Sequence, residues 1–109
     1  MALEEPLPPQ VHQIGEALRR LHDAALELYT AQVEAVLAGG IRSPREIEAI
    51  LDGLMDFGAD DRFRALYQKL CRRIYPKYPT MVAEHILLWR SIYGPEAQAA
   101  QQESQPPAD

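Results

Sequence analysis

The chain has 109 residues, of which 47% are hydrophobic and 25% charged, a composition typical of one small globular domain. No apolar run approaches the ~18 residues that a membrane span needs, and the acidic, proline-containing first ten residues lack the features of a signal peptide. The single cysteine, Cys71, excludes an internal disulfide and favours a reducing compartment. We therefore expect a cytoplasmic protein that does not enter membranes.

The net charge of −5 is unevenly distributed. Residues 1–61 carry 4 basic and 12 acidic residues, a balance of −8, whereas residues 62–109 carry 7 basic and 4 acidic residues, a balance of +3. The acidic half argues against a general nucleic-acid coat, because phosphates would be repelled. The basic half leaves nucleic-acid binding open as an alternative.

Both ends of the chain are predicted to be disordered. Prolines recur within residues 1–10, and residues 95–109 contain no apolar side chain larger than alanine. Such segments bury too little surface to offset the entropy lost on ordering. The folded domain is therefore predicted to span residues 11–94.

The first predicted helix runs from about Val11 to Ala38. Its apolar positions step by three and four residues, the spacing of one helical face; they include Ile14, Leu18, Leu21, Ala25 and Leu28. Gly39 and Gly40 then predict a helix end.

Three shorter helices are predicted to follow. Ser43 precedes Pro44 and stands three residues before Glu46, the spacing of a capping box that begins the second helix. Gly53 within that helix indicates close packing against a neighbour. Asp60 or Asp61 is predicted to cap the third helix, which ends before Pro76, and the fourth runs from about Pro79 to Gly94.

These elements predict an all-α fold, a four-helix array in which one long N-terminal helix packs against three shorter helices. The long helix would span roughly 40 Å and the others roughly 22 Å. The short helices then cannot cover its whole apolar stripe. Either the long helix is broken near Gly15, or its uncovered half packs on another molecule, most simply a second copy. We expect a homodimer or a larger homo-oligomer.

No residue pattern indicates catalysis, a metal or a cofactor. His12, His22 and His85 lack the helical spacing of metal ligands and are interpreted as surface or boundary residues. Cys71 lies beside Leu70 on an apolar face, so packing is favoured over a nucleophilic role. Glycine-rich phosphate loops and nucleophile motifs are also lacking. We therefore predict that the protein is not an enzyme.

One surface remains as a candidate for interactions. A basic arc on the third helix, opposite its apolar face, and the two tyrosines that follow form this candidate surface: Arg62, Lys69, Arg72, Arg73, Tyr75 and Tyr78. The alternatives are a solvated or internally paired face, a protein partner and nucleic acid. Trp89 is expected in the core rather than at the surface. The sequence thus favours a non-catalytic interaction or regulatory module that self-associates, with an unknown protein partner; a nucleic-acid accessory protein is the alternative.

Overall fold

The computed structural model describes residues 9–97 and 99. It contains four helices in these residues and no strand: α1 (Pro9–Leu37), α2 (Pro44–Asp56), α3 (Asp61–Ile74) and α4 (Pro79–Tyr93). The long α1 packs against the shorter helices, which confirms the predicted all-α array. Each described helix is too short or too polar to cross a lipid bilayer. The predictions of disorder for residues 1–8, 98 and 100–109 lie outside the described residues, and Pro95–Ala97 are helical.

The ends of the helices follow the local sequence signals. Gly39 has a φ of 83°, and the amides of Gly39 and Gly40 bond to the carbonyls of Val36 and Ala35 at 3.0 and 2.8 Å. These two bonds form a Schellman motif, which confirms that the glycine pair ends α1. Asp60 caps α3 by accepting a 2.9 Å hydrogen bond from the Arg62 amide.

Ser43 caps α2 as predicted, accepting a 3.4 Å hydrogen bond from the Glu46 amide, although no return bond from the Glu46 carboxylate is present among the described residues. We predict that Ser43→Ala lowers the free energy of unfolding by about 1 kcal/mol, because an amide at the helix start loses its acceptor. Thermal and urea denaturation would measure this change. An unaltered melting curve would show that the Ser43 cap contributes nothing.

The core is formed by α2, α3 and α4 together with only the C-terminal part of α1. From α1, only Val33 and Val36 are buried, while Leu26 and Tyr29 lie at the core's edge. The other three helices contribute most of the completely buried side chains, which include Leu51, Leu54, Phe63 and Leu70. Trp89 is also buried, at 7% exposure, which confirms its predicted core position.

Tyr29 of α1 explains the glycine in the middle of α2. A Cβ atom added at Gly53 would collide with the Tyr29 phenol ring. The absence of a side chain at Gly53 therefore lets α1 and α2 approach closely, which confirms the packing predicted from the sequence.

Candidate interaction surfaces

Arg62 is engaged by two carboxylates. Its guanidinium lies 3.0 Å from Asp23 of α1 and 2.9 Å from the α3 cap, Asp60. Hydrogen bonds to Asp60 and then to Asp23 raise the pKa of Arg62. His22 stands 3.8 Å from the same Asp60 carboxylate. The first cation of the basic arc therefore ties α3 to α1.

The Asp60 pair has a consequence for pH dependence. Hydrogen bonds from the Arg62 side chain and amide lower the pKa of Asp60 from 3.8 to about 2. Since this folded-state pKa lies below the unfolded value, the stabilisation is present above about pH 4 and is lost as the pH falls toward 2. We expect wild type to lose stability relative to Asp60→Asn over that range. Urea denaturation of both proteins at pH 5 and pH 2.5 measures the difference between their free energies of unfolding. If this difference is the same at both pH values, the pairing of Asp60 with Arg62 is contradicted.

Arg73 binds the C-terminal end of α1. Its guanidinium donates a 3.4 Å hydrogen bond to the Leu37 carbonyl, and the Arg42 guanidinium donates a 2.9 Å bond to the Gly39 carbonyl. Two cations thus satisfy carbonyl groups where the helix dipole is negative. The proximity of Arg42 to the glycine pair was a sequence signal for this role, but the contribution of Arg73 depends on tertiary structure.

The remaining members of the predicted surface do not form one site. Lys69 and Arg72 are exposed and make no ion pair with any described residue. Tyr75 is 55% exposed, whereas Tyr78 is half-buried and donates a 3.4 Å hydrogen bond to the Arg42 carbonyl. Arg62 and Arg73 lie eleven residues apart on α3, or roughly 16 Å along its axis. The arc thus combines two structural arginines with two solvated cations.

His85 corrects the sequence interpretation of the histidines. His12 is exposed and His22 lies at a boundary, but His85 is buried at 7% exposure. Its Nδ1 donates to the Met81 carbonyl at 2.8 Å, and its Nε2 lies 2.9 Å from the Asp52 carboxylate. His85 therefore links α4 to α2, and its burial is possible because both ring nitrogens have partners.

Cys71 is buried, which confirms its predicted packing role. Burial raises the pKa of its thiol to about 11, so the thiol stays protonated at neutral pH. Burial also raises the pKa of the neighbouring Tyr67, whose hydroxyl has no hydrogen-bond partner among the described residues. Within residues 9–97 and 99, no cluster of three or more histidine, cysteine or carboxylate side chains has a geometry suited to a metal.

The N-terminal part of α1 is a second candidate interaction surface. Residues 9–21, which we call the α1 arm, extend beyond the core, and their large apolar side chains are uncovered: Val11 is 44% exposed, Ile14 60%, Leu18 53% and Leu21 58%. The helix is continuous through Gly15, so the predicted break does not occur. The arm therefore presents an apolar stripe of roughly 20 Å to solvent.

The chain matches no protein family model, and no curated protein or solved structure shows significant similarity to it.

Proposed function

We propose that this protein is a non-catalytic helical interaction module that self-associates through the α1 arm. The observation that carries the proposal is the exposure of four large apolar side chains on one continuous helix. Contiguous exposed apolar surface of this kind marks an interaction site. The buried, protonated Cys71 and the internally bonded His85 support a non-catalytic role. Because the chain has one cysteine, we expect the module to work in the cytoplasm.

The spacing of the stripe favours a helix as the occupant. Val11, Ile14, Leu18 and Leu21 are separated by three, four and three residues. These are the a and d positions of a heptad, where side chains interlock with those of a second helix. The neighbouring positions hold Gly15 and Ala17, so no bulky or charged side chain on these flanks opposes a close approach.

A second copy of the chain carries the same apolar stripe and can therefore pair with it symmetrically. If two arms align antiparallel, Val11 lies opposite the partner's Leu21 and Ile14 lies opposite the partner's Leu18. Every apolar position then meets an apolar position, and the two-fold axis passes near Gly15 and Ala17.

The charges at the ends of the arm support the same arrangement. The first turn of α1 contains no acidic residue to offset the positive end of the helix dipole. In the antiparallel pair this end lies level with the partner's Asp23. That carboxylate then has a second source of positive potential nearby, in addition to Arg62.

The size of the contact sets its strength. Thirteen residues of helix provide an interface smaller than the ~1,000 Å² of total area typical of a stable complex. We therefore expect a reversible dimer with a dissociation constant in the micromolar range rather than a permanent one.

Cysteine cross-linking tests this geometry. In the antiparallel pair Ala17 lies on the same side of the seam as the partner's Ala17, offset from it by only about 3 Å along the helix axis, whereas Val11 faces the partner's Leu21. Mild oxidation of Ala17→Cys should therefore give a covalent dimer on a non-reducing gel, while Val11→Cys and wild type, whose Cys71 is buried, should stay monomeric. Cross-linking of Val11→Cys alone would contradict the antiparallel arrangement. Failure of both variants to cross-link would contradict the proposed contact.

Nucleic-acid binding through the basic arc is the alternative function. Arg62 is neutralised by Asp23 and Asp60, and Arg73 is bonded to α1, which reduces the cations available to phosphates. We predict no salt-dependent binding to random duplex or single-stranded DNA in a low-salt titration. Micromolar binding to duplex with a log–log salt slope of about −3 to −4 would indicate that all four cations of the arc contact phosphates. Loss of that binding in Lys69→Glu with Arg72→Glu would establish the alternative.

A further inference from the structure

A groove of about 570 Å³ lies between α3 and α4, on helices that the proposed dimer does not use. Its principal lining residues are Arg64, Tyr67, Ile86, Trp89, Arg90 and Tyr93. The Trp89 ring lies 4.2 Å from the Tyr67 ring and 5.3 Å from the Tyr93 ring, measured between centroids. Tyr93 is held in place by a 2.7 Å hydrogen bond from its hydroxyl to the Met55 carbonyl. The aromatic floor is therefore formed before any partner arrives.

The helix that forms one wall is apolar on more sides than the core covers. Val82, His85 and Trp89 face inward, yet Leu87 remains 67% exposed, Leu88 48% and Ile92 42%. A helix that is apolar around most of its circumference is normally buried. Of the exposed apolar side chains on α4, Ile86, at 39% exposure, is the one that lines the groove.

The two charged side chains that line the groove are both basic. Arg64 and Arg90 line it from opposite walls, and neither makes an ion pair with a described residue. Among residues 9–97 and 99, no acidic residue lines it, although the chain as a whole carries a net charge of −5. Trp, Tyr and Arg together are the residues enriched at binding hot spots. A bound partner would therefore meet aromatic surface flanked by positive charge.

We propose that this groove binds an acidic amphipathic helix of another protein. Apolar side chains spaced three and four residues apart would pack on Trp89 and its neighbours, as in other grooves that bind one face of a helix. Glutamate or aspartate side chains on the flanks of that helix would pair with Arg64 and Arg90. The α1 arm contributes nothing to this site, because no residue of α1 is among those that line the groove.

Trp89 provides a direct reporter because it is the only tryptophan of the chain. The full-length protein would be titrated with a helical peptide of about 14 residues that carries leucines on one face and glutamates on its flanks. We expect a saturable change in Trp89 fluorescence in the micromolar range. A peptide with lysines in place of the glutamates should bind at least tenfold more weakly, and equal affinity for both would contradict the proposed partner chemistry.

Charge reversal locates the site. Arg64→Glu with Arg90→Glu should weaken binding of the glutamate peptide at least tenfold, whereas Arg72→Glu, an exposed cation on the same α3, should change it less than twofold. Circular dichroism would verify that all variants are folded. Unaltered affinity of the double variant, or no fluorescence response to any peptide, would overturn the proposal. The double variant should also retain the mass of wild type, and a shift to monomer would show that the groove serves self-association instead.

Discussion

Leu70→Ala is expected to lower the free energy of unfolding by about 2–5 kcal/mol, which is the cost of deleting a fully buried leucine. Leu70 has 0% exposure and lies in the same core as Phe63, Leu51 and Trp89. The helices around it are tied together by Tyr29 against Gly53 and by His85 to Asp52, so they cannot easily collapse into the space left behind. The free energy of unfolding of a domain is typically about 5–15 kcal/mol, so this substitution would remove a large part of it.

Urea denaturation followed by circular dichroism measures the loss, and Leu87→Ala provides the matched control. Leu87 is 67% exposed, so the same truncation there should change stability by less than about 0.5 kcal/mol. Should Leu70→Ala fail to fold, Leu70→Met, which nearly preserves volume, should fold with a cost below about 1.5 kcal/mol. Equal costs for the alanine variants at Leu70 and Leu87 would contradict the core arrangement.

Leu18→Glu is expected to dissociate the proposed dimer completely. In the antiparallel pair Leu18 lies opposite the partner's Ile14, so the substitution places two carboxylates in the apolar seam, one from each copy. Burying an unpaired charge costs far more than a weak interface can supply. The monomer should fold normally, because Leu18 is 53% exposed and makes no part of the core.

Light scattering and denaturation together separate these effects. Gln13→Glu adds the same charge to the same arm, away from the apolar stripe, and should leave the mass of the protein unchanged. If Leu18→Glu and Gln13→Glu have the same mass as wild type at every concentration, the arm is not the contact surface. If Leu18→Glu also loses stability, the arm supports the fold as well.

The helical framework could be predicted from the sequence because its determinants are local. Ser43, Asp60 and the pair Gly39–Gly40 act on amides and carbonyls within a few residues of themselves. Gly53 was also informative, since a glycine inside a helix costs about 1 kcal/mol relative to alanine and indicates a close neighbour. The mismatch in helix lengths correctly predicted that part of α1 would be uncovered.

The roles of individual polar residues were less predictable because they depend on distant partners. His85 was interpreted as a surface or boundary residue, but Asp52, 33 positions earlier, makes its burial possible. Arg62 and Arg73 were assigned to one basic arc, yet each contacts α1, 39 and 36 positions away. Helical spacing gives the direction of a side chain and not the group that it meets. The α3–α4 groove likewise required the packing of two helices to be known.

The mass of the full-length protein in solution tests the central claim, self-association through the α1 arm, most directly. Light scattering over a concentration series from about 1 to 500 µM should show the mass rising from 12.3 kDa toward twice that value, about 25 kDa. The midpoint should lie in the micromolar range expected for a small apolar contact. A mass that stays at 12.3 kDa over the whole series would contradict self-association.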